Sequence, residues 1–496
     1  MKKKREYGQT GRMPHTTPTH SHTHTHVTEK SRIHHVLSCL VGTRQRQSSI
    51  VLSIPNPGIS TTMRTGVALS NIKRVVSVFI LHEGNKNDEA RVALFRRCSQ
   101  MPTFPRHWAA ISGSIETQDV SPLAAAVREL EEETNLGEII GEYYHLLKSG
   151  LYVDVSKDKS KGTFDGRVIR VYPFALALPS DDQSLLSKIE MRGTEHDQMK
   201  FLTISDFLGL NDEQCVPSLT TAFHHATAGN YMDLPPEIRE WQQDRVNGSA
   251  YLARQAVDLA AANTQNEEQL DENFSMALSI AILRPSMVPI VNVMNQFNRR
   301  VVHENEDVEQ VKNELKRSLI YEGNRCIEIG FKLLMKICKA KSEFVVGTFS
   351  RSSTLKQLII ESLENASSKM RVVCSQSRPG DEGKLMATDI PGASCLSDEE
   401  FQQKIMDGNI DVVIVGADCV LLEGHGVVNK IGTAELASVC KQAKVPIISC
   451  ADRWKLWDDV YCPPLEDIFE LIPTELFDHV LVPREDEGRK SQIRLC

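Results

Sequence analysis

Four short apolar runs recur toward the C-terminal end of the chain, with helical stretches between them: Phe344-Val345-Val346, Arg371-Val372-Val373, Val412-Val413-Ile414-Val415 and Pro446-Ile447-Ile448. Continuous apolar strands alternating with helices demand a parallel sheet buried on both faces, because a strand with one wet face alternates polar and apolar side chains. An α/β, Rossmann-like domain is therefore expected over 341–496. Helical periodicity runs from Arg239 to about Lys339, so a helical part is expected over 241–340. Earlier still, Val75 to Leu81 reads as a strand ending in the turn residues His82-Glu83-Gly84-Asn85. Arg91–Arg97 alternates as a second strand, and Trp108–Gly113 follows as a third. Ser121-Pro122 then caps a helix over roughly 122–134, which Asn135 and Gly137 are expected to stop. Strand-like runs at Val168–Phe174 and Met199–Leu202 complete an α+β unit over 71–212, and Leu234-Pro235-Pro236 marks a linker over 213–240.

At 496 residues the chain exceeds what one core supports, and 41% hydrophobic with 25% charged residues is an ordinary globular balance. No apolar run is long enough to span a bilayer, so no membrane partner is expected. A net charge of -8 gives no general attraction to nucleic acid. The 12 cysteines lack CxxC pairs and read as reduced thiols. Residues 1–70 are basic and carry seven of the 16 histidines, some in THSHTHTH, which reads as a disordered tail, with weak metal binding as the alternative. The stretch from Lys30 to His82 has no Asp or Glu, as in organelle transit peptides, but Glu6 and Glu29 precede it and Met63 offers an alternative start. The cytoplasm is the expected location, with mitochondria the alternative.

Two constellations carry chemistry. In the first, Glu129, Glu132 and Glu133 stand at i, i+3 and i+4, so three carboxylates share one helix face while Val127 and Leu130 turn inward. A hard divalent cation would relieve their repulsion and leave positions for water and phosphate; a solvated acidic face is the plain alternative. Gly113, ahead of the helix, lets the loop backbone approach closely. The string GSIETQDVSPLAAAVRELEEETNL resembles the Nudix box of the Nudix hydrolases through Gly113, Arg128, Glu129, Leu130, Glu132, Glu133 and Leu136. It departs from the box by one extra loop residue, by Asp119 where Glu is usual, and by Asn135 in place of the late Gly. The resemblance implies a Nudix fold and an Mg²⁺- or Mn²⁺-dependent hydrolase acting on a nucleoside diphosphate linked to another moiety. Under it, Glu129, Glu132 and Glu133 are metal ligands, Arg128 orients Glu129, and Gly113, Glu116 and Asp119 form the substrate loop. Glu129 or one of Glu190, Glu195 and Asp197 would accept the proton. Trp108, Phe95 and Tyr152 are candidates to stack on a base, in competition with plain packing.

The second constellation lies at the carboxyl ends of the later strands, where open α/β sheets bind ligands. Gly347-Thr348-Phe349-Ser350-Arg351-Ser352-Ser353, Ser375-Gln376-Ser377-Arg378-Pro379, Val415-Gly416-Ala417-Asp418 and Asn429-Lys430-Ile431-Gly432-Thr433 each offer small polar residues or a cation near a helix start. With VGADCVLLEGHGVVNKIGT the strongest string, they resemble the family joining the regulatory subunits of translation initiation factor 2B to the methylthioribose-1-phosphate and ribose-1,5-bisphosphate isomerases. Arg284-Pro285-Ser286, Arg453-Trp454-Lys455 and Ile472-Pro473-Thr474-Glu475 extend the resemblance across 241–496. The resemblance implies Thr348, Ser350, Arg351, Arg378, Asp418, Asn429 and Lys430 as ligand-binding residues. It also places a catalytic Cys of the isomerases at Thr348, whose hydroxyl has too high a pKa for that role. A sugar-phosphate or nucleotide-binding regulatory domain is thus favoured over an isomerase. The whole reading is multidomain: an α+β Nudix hydrolase, then a helical bundle and a Rossmann-like sheet, expected to form a homodimer or to meet initiation factor subunits. The alternatives are a methionine-salvage aldose-phosphate isomerase, or a translation-factor-like regulator with an inactive Nudix domain.

Overall fold

The computed structural model describes residues 72–82, 89–141, 143, 146–155, 168–178, 184–211, 213–264, 275–422 and 426–483. All of them fall within one compact unit, Ser60–Cys496. The expected tail, its His-rich tract, Met63 and the turn at Glu83-Gly84-Asn85 lie outside the described residues.

The first sheet contains β1 (Ile72–His82), β2 (Arg91–Arg97), β3 (Trp108–Ala109), β4 (Ile111–Ser114), β5 (Leu147–Ser149), β6 (Val153–Val155), β7 (Val168–Leu178) and β8 (His196–Thr203). Its spine is the parallel pair β1 and β7, in register from Ile72↔Val168 to His82↔Leu178, with β2 and β4 antiparallel to β1. The third expected strand is split at Ala110, so that β3 pairs with β2 while β4 crosses to β1. Strand β1 is buried on both faces by alternation. Val76, Val78 and Ile80 pack with Ala125, Ala126 and Leu130 of the helix Pro122–Glu133. Phe79 and Leu81 pack on the other side with Leu219, Ala222 and Phe223.

Residues 213–240 carry packed helices. Helix Leu219–Ala226 sets Phe223 5.4 Å from Phe79 and 4.9 Å from Phe207, ring centre to ring centre. Helix Pro236–Gln242 buries Ile238 and Trp241 in the helical core that follows. That core is built by helices Ser249–Thr264, Met276–Leu283, Val288–Asn298 and Val308–Ile337.

The remaining strands are β9 (Glu343–Phe349), β10 (Lys369–Ser375), β11 (Ser394–Leu396), β12 (Val412–Val415), β13 (Cys419–Leu421), β14 (Gly426–Lys430), β15 (Ile447–Cys450), β16 (Leu456–Trp457), β17 (Phe469–Pro473) and β18 (His479–Leu481). Six of these form a parallel sheet in the order β11-β10-β9-β12-β15-β18. Its faces separate by alternation as the apolar runs require: Val345, Val413, Val415 and Ile447 join one core, and Phe344, Val346, Ile414 and Ile448 the other. From β9 the chain builds outward through β10 to β11, then returns to add β12 on the opposite side, which opens a crevice between β9 and β12 at their carboxyl ends. A smaller sheet, β16-β13-β14-β17, lies off this path. Among the described residues, no helix is long and apolar enough to cross a membrane.

Two stability predictions follow from this packing. Phe223→Ala empties a fully buried site between two aromatic rings and is expected to cost about 3–5 kcal/mol in chemical denaturation. His225 is buried with Nδ1 2.9 Å from the carbonyl of Leu151, and burial lowers its pKa to about 4. The unfolded chain protonates this group near 6.5 while the folded chain does not, so its contribution is complete above 6.5 and is lost as pH falls toward 4. His225→Gln should remove an acid-dependent loss on the order of 3 kcal/mol, measured by urea unfolding at pH 7 and pH 4.5.

Candidate functional site

The first site is organised by the helix Pro122–Glu133. Ser121 caps it by accepting from the Ala124 amide at 3.1 Å, and Pro122 occupies the first turn, where no amide partner is needed. The helix stops at Glu133, and Thr134 is extended. Neither expected stop residue acts as one. Asn135 has φ -93°, not the left-handed conformation, and its side chain donates to the Lys188 carbonyl at 2.9 Å and accepts from the Glu190 amide at 2.8 Å. Gly137 lies inside a further short helix, Leu136–Ile140.

Arg128 is the hub of the site. Its Nη1 donates to Glu129 Oε1 at 2.7 Å and Glu132 Oε2 at 3.3 Å, while Nη2 donates to the Ser114 carbonyl at 2.9 Å. Asp119 closes the loop: Arg128 Nε and Nη2 reach its two oxygens at 3.2 and 2.9 Å, and the Glu116 amide donates to it at 2.8 Å. The extra loop residue and the Asp are thereby absorbed into an Arg128 clamp, and that clamp holds the Asp119 carboxyl below the usual carboxylate range. A Cβ on Gly113 would fall 1.8 Å from Glu129 Oε1, so only glycine admits this carboxylate. Burial pushes the Glu129 pKa up to about 7 against the opposing effect of Arg128.

Glu133 is buried, and burial raises its pKa as well. His196 Nδ1 lies 3.0 Å from Glu133 Oε2, yet both Glu133 oxygens lack a hydrogen-bond partner among the described residues. Glu132 is largely exposed. As placed, no three His, Cys, Asp or Glu side chains among the described residues are drawn together around one point. The chemistry of the donors nevertheless fits a hard divalent cation: the three carboxylates stand at i, i+3 and i+4 of one helix, and Glu133 Oε1 is buried without a hydrogen-bond partner among the described residues.

Of the other residues singled out in this half, Phe95 is fully buried in the core, and Tyr152 packs against Trp457. Full burial makes Phe95 a packing residue, while Tyr152 is half-buried. Trp108 is partly exposed, with Lys200 Nζ 4.0 Å above its ring. Asp197 is paired with Arg96 at 2.6 Å.

The second site is the crevice between β9 and β12, where a cavity of about 40 Å³ is lined by residues including Ser350, Arg351, Asp418, Asn429, Ser249 and Lys455. The starts of helices Ser249–Thr264 and Ser353–Asn365 border it. Asp418 accepts from Ser249 Oγ at 2.7 Å, and Arg351 is tethered to Asp389 at 2.9 Å. Ser350 has φ 67°, and its amide donates to Ser377 Oγ at 2.7 Å.

Three expected residues do not line this cavity. Thr348 lies within β9, wholly buried, with its hydroxyl unpartnered among the described residues. Lys430 turns the other way to Pro379 and Glu382, and burial lowers its pKa to about 8. Arg378 reaches Asp398 and Glu399. The two long side chains point where a nearby carboxylate or carbonyl draws them, which local sequence does not show. Conversely, Ser249 and Lys455 line the cavity although the sequence did not single them out as candidates. The Arg453-Trp454-Lys455 string marked the right segment, but only the fold turns Lys455 into the crevice.

Similarity to known proteins falls in two stretches of the chain. A NUDIX domain model matches residues 72–219, and a model of the Initiation factor 2 subunit family matches 245–477. Over 250 residues the chain is 27% identical to ribose 1,5-bisphosphate isomerase of Archaeoglobus fulgidus, covering 47% of this chain and 76% of that protein. It is 25% identical over 246 residues to methylthioribose-1-phosphate isomerase of Acetivibrio thermocellus, covering 45% and 70%. Among solved structures, translation initiation factor eIF-2B of Pyrococcus horikoshii aligns with a TM-score of 0.40 at 21% identity, over 50% of this chain and 95% of that one.

The close approach of Glu129 to the loop is testable directly. Gly113→Ala is expected to weaken Mn²⁺ binding about tenfold or more, followed by electron paramagnetic resonance titration, by displacing the Glu129 carboxylate.

Proposed function

The chain joins a NUDIX domain to a region of the Initiation factor 2 subunit family, and on that premise we propose a divalent-cation-dependent hydrolase of a nucleoside diphosphate linked to another moiety, fused to a domain that binds a sugar phosphate or nucleotide. We assign the hydrolase to 71–212 together with helix Leu219–Ala226, and the binding domain, a helical bundle and a Rossmann-like sheet, to 241–496. The observation that carries the hydrolase reading is the Glu129 carboxylate pressed onto Gly113 and held by Arg128.

Glu129, Glu132 and Glu133 would hold Mg²⁺ or Mn²⁺. When bound, the ion supplies neutralisation of phosphate charge and a more acidic water. Arg128 occupies Glu129 Oε1, which leaves Oε2 as the oxygen free to accept a proton from the attacking water. Asp119 fixes Arg128 from the far side, so the carboxylate stays oriented through the reaction. Gly113 and Ser114, with their backbone against the helix, form the wall on which a diphosphate would lie.

In the second domain, two helix starts, Arg351 and Lys455 surround the crevice, a set suited to a phosphate group. Binding is favoured over isomerisation because Thr348 offers no thiol. Cys374, its neighbour across the β9–β10 pair, has a pKa pushed up to about 12 by burial and stays protonated.

The test is phosphate or monophosphate release from a panel of nucleoside-diphosphate conjugates with Mg²⁺. Wild type should release product from at least one, and Glu132→Gln should lower the rate by about 100-fold or more, since a metal ligand supports several kcal/mol of transition-state stabilisation. A folded, metal-supplied wild type that hydrolyses none of them would overturn the reading.

A further inference from the structure

Where the two domains meet, Asp459 is completely buried. Its carboxylate lies 3.5 Å from Arg74 Nη2 and 3.4 Å from Arg170 Nη1, and it accepts from the Tyr172 hydroxyl at 2.6 Å. All three partners come from the hydrolase side. They differ in what else holds them. Arg170 is gripped by both oxygens of Asp154 at 2.7 and 2.8 Å and stacks 3.7 Å from the centre of the Tyr152 ring. Arg74 has no second carboxylate among the described residues, and its Nε is buried without a hydrogen-bond partner. Asp459 is therefore the counter-charge on which the placement of Arg74 depends.

Arg74 is also part of the hydrolase site's framework. Its carbonyl accepts from the Ile115 amide at 3.1 Å, at the point where β4 gives way to the substrate loop. One residue before, the Ser114 carbonyl receives Arg128; one residue after, the Glu116 amide is tied to Asp119. Tyr461, two residues beyond Asp459, packs on the hydrolase core and meets Tyr172 edge to face at 5.5 Å. It also sits close enough to Asp119 to feel its charge.

We propose that Asp459 is a positioning residue for the hydrolase site, acting from the second domain through Arg74 to hold Ile115 and hence the loop from Gly113 to Asp119 and the Arg128–Glu129 pair. The kinetic consequence rests on the hydrolase reading above; the structural consequence does not. A hydrolase domain severed from the second domain would keep its carboxylates but lose the support of its loop.

Asp459→Asn keeps the shape and an acceptor for Tyr172 while removing the charge. In the full-length protein, amide hydrogen exchange at Ile115, Glu116 and Asp119 should quicken by about tenfold, while helix Ser353–Asn365 keeps its wild-type rates. On any conjugate that wild type hydrolyses, kcat should fall by about tenfold with KM changing by less than about threefold, since misplacement of the catalytic pair rather than loss of binding is expected. Arg74→Gln should produce the same local exchange, and the double variant should add little to either single one. Unchanged loop exchange in both single variants would overturn the proposal. So would uniform acceleration across both domains, which marks a general stability role. Should Asp459→Asn fail to fold, Arg74→Gln decides by the same readouts. If wild type hydrolyses nothing, exchange alone still decides, so the two readings fail separately.

Discussion

A buried carboxylate, Asp459, bridges the two halves of the molecule beside the aromatic contacts of Tyr152 and Tyr461, and its environment explains why it is there. Taking a charge out of water costs several kcal/mol, and here two guanidinium groups and a phenol offset that cost. Such a cluster adds little net stability compared with apolar packing, but breaking it is expensive. Its effect is geometric: the placement of strands β1 and β7 against the segment after Trp457 sets both guanidinium groups and the Tyr172 hydroxyl around Asp459, and a shifted placement leaves a buried charge alone.

The same physics is used differently at the two sites. In the first, burial works against charge: it raises the pKa of both Glu129 and Glu133. In the second, two helix starts border a crevice that is also lined by Arg351 and Lys455. One short stretch of chain serves both. Lys455 faces the crevice, and four residues later Asp459 meets the hydrolase sheet.

The split of the third expected strand and the fate of the extra loop residue show how a local irregularity is accommodated. Breaking at Ala110 lets β3 stay with β2 while β4 crosses to β1, which brings Gly113 against the acidic helix. The additional loop residue becomes a closed turn, because Asp119 can accept from both Arg128 and the Glu116 amide. The departure from the Nudix pattern at Asp119 forms a clamp on Arg128, which in turn donates to Glu129.

What was legible in the sequence is what depends on neighbours along the chain. The capped helix starting at Pro122, the alternating strand Arg91–Arg97, the apolar strands of the parallel sheet and the shared face of Glu129, Glu132 and Glu133 all follow from side-chain period and capping chemistry, which are local. What the tertiary structure alone decided is where long polar side chains point and which distant groups they meet. Lys430 and Arg378 turn from the crevice to carboxylates on neighbouring elements, Lys455 and Ser249 turn into it, and the segment 213–240 is packed by Phe223 and Trp241 rather than left as a spacer. Tyr172 and Asp459 are 287 positions apart, and nothing in the periodicity of either segment encodes their meeting. The reason is physical: backbone period is set within a few residues, whereas the partner of a buried charge is set by whichever surface the completed fold brings against it.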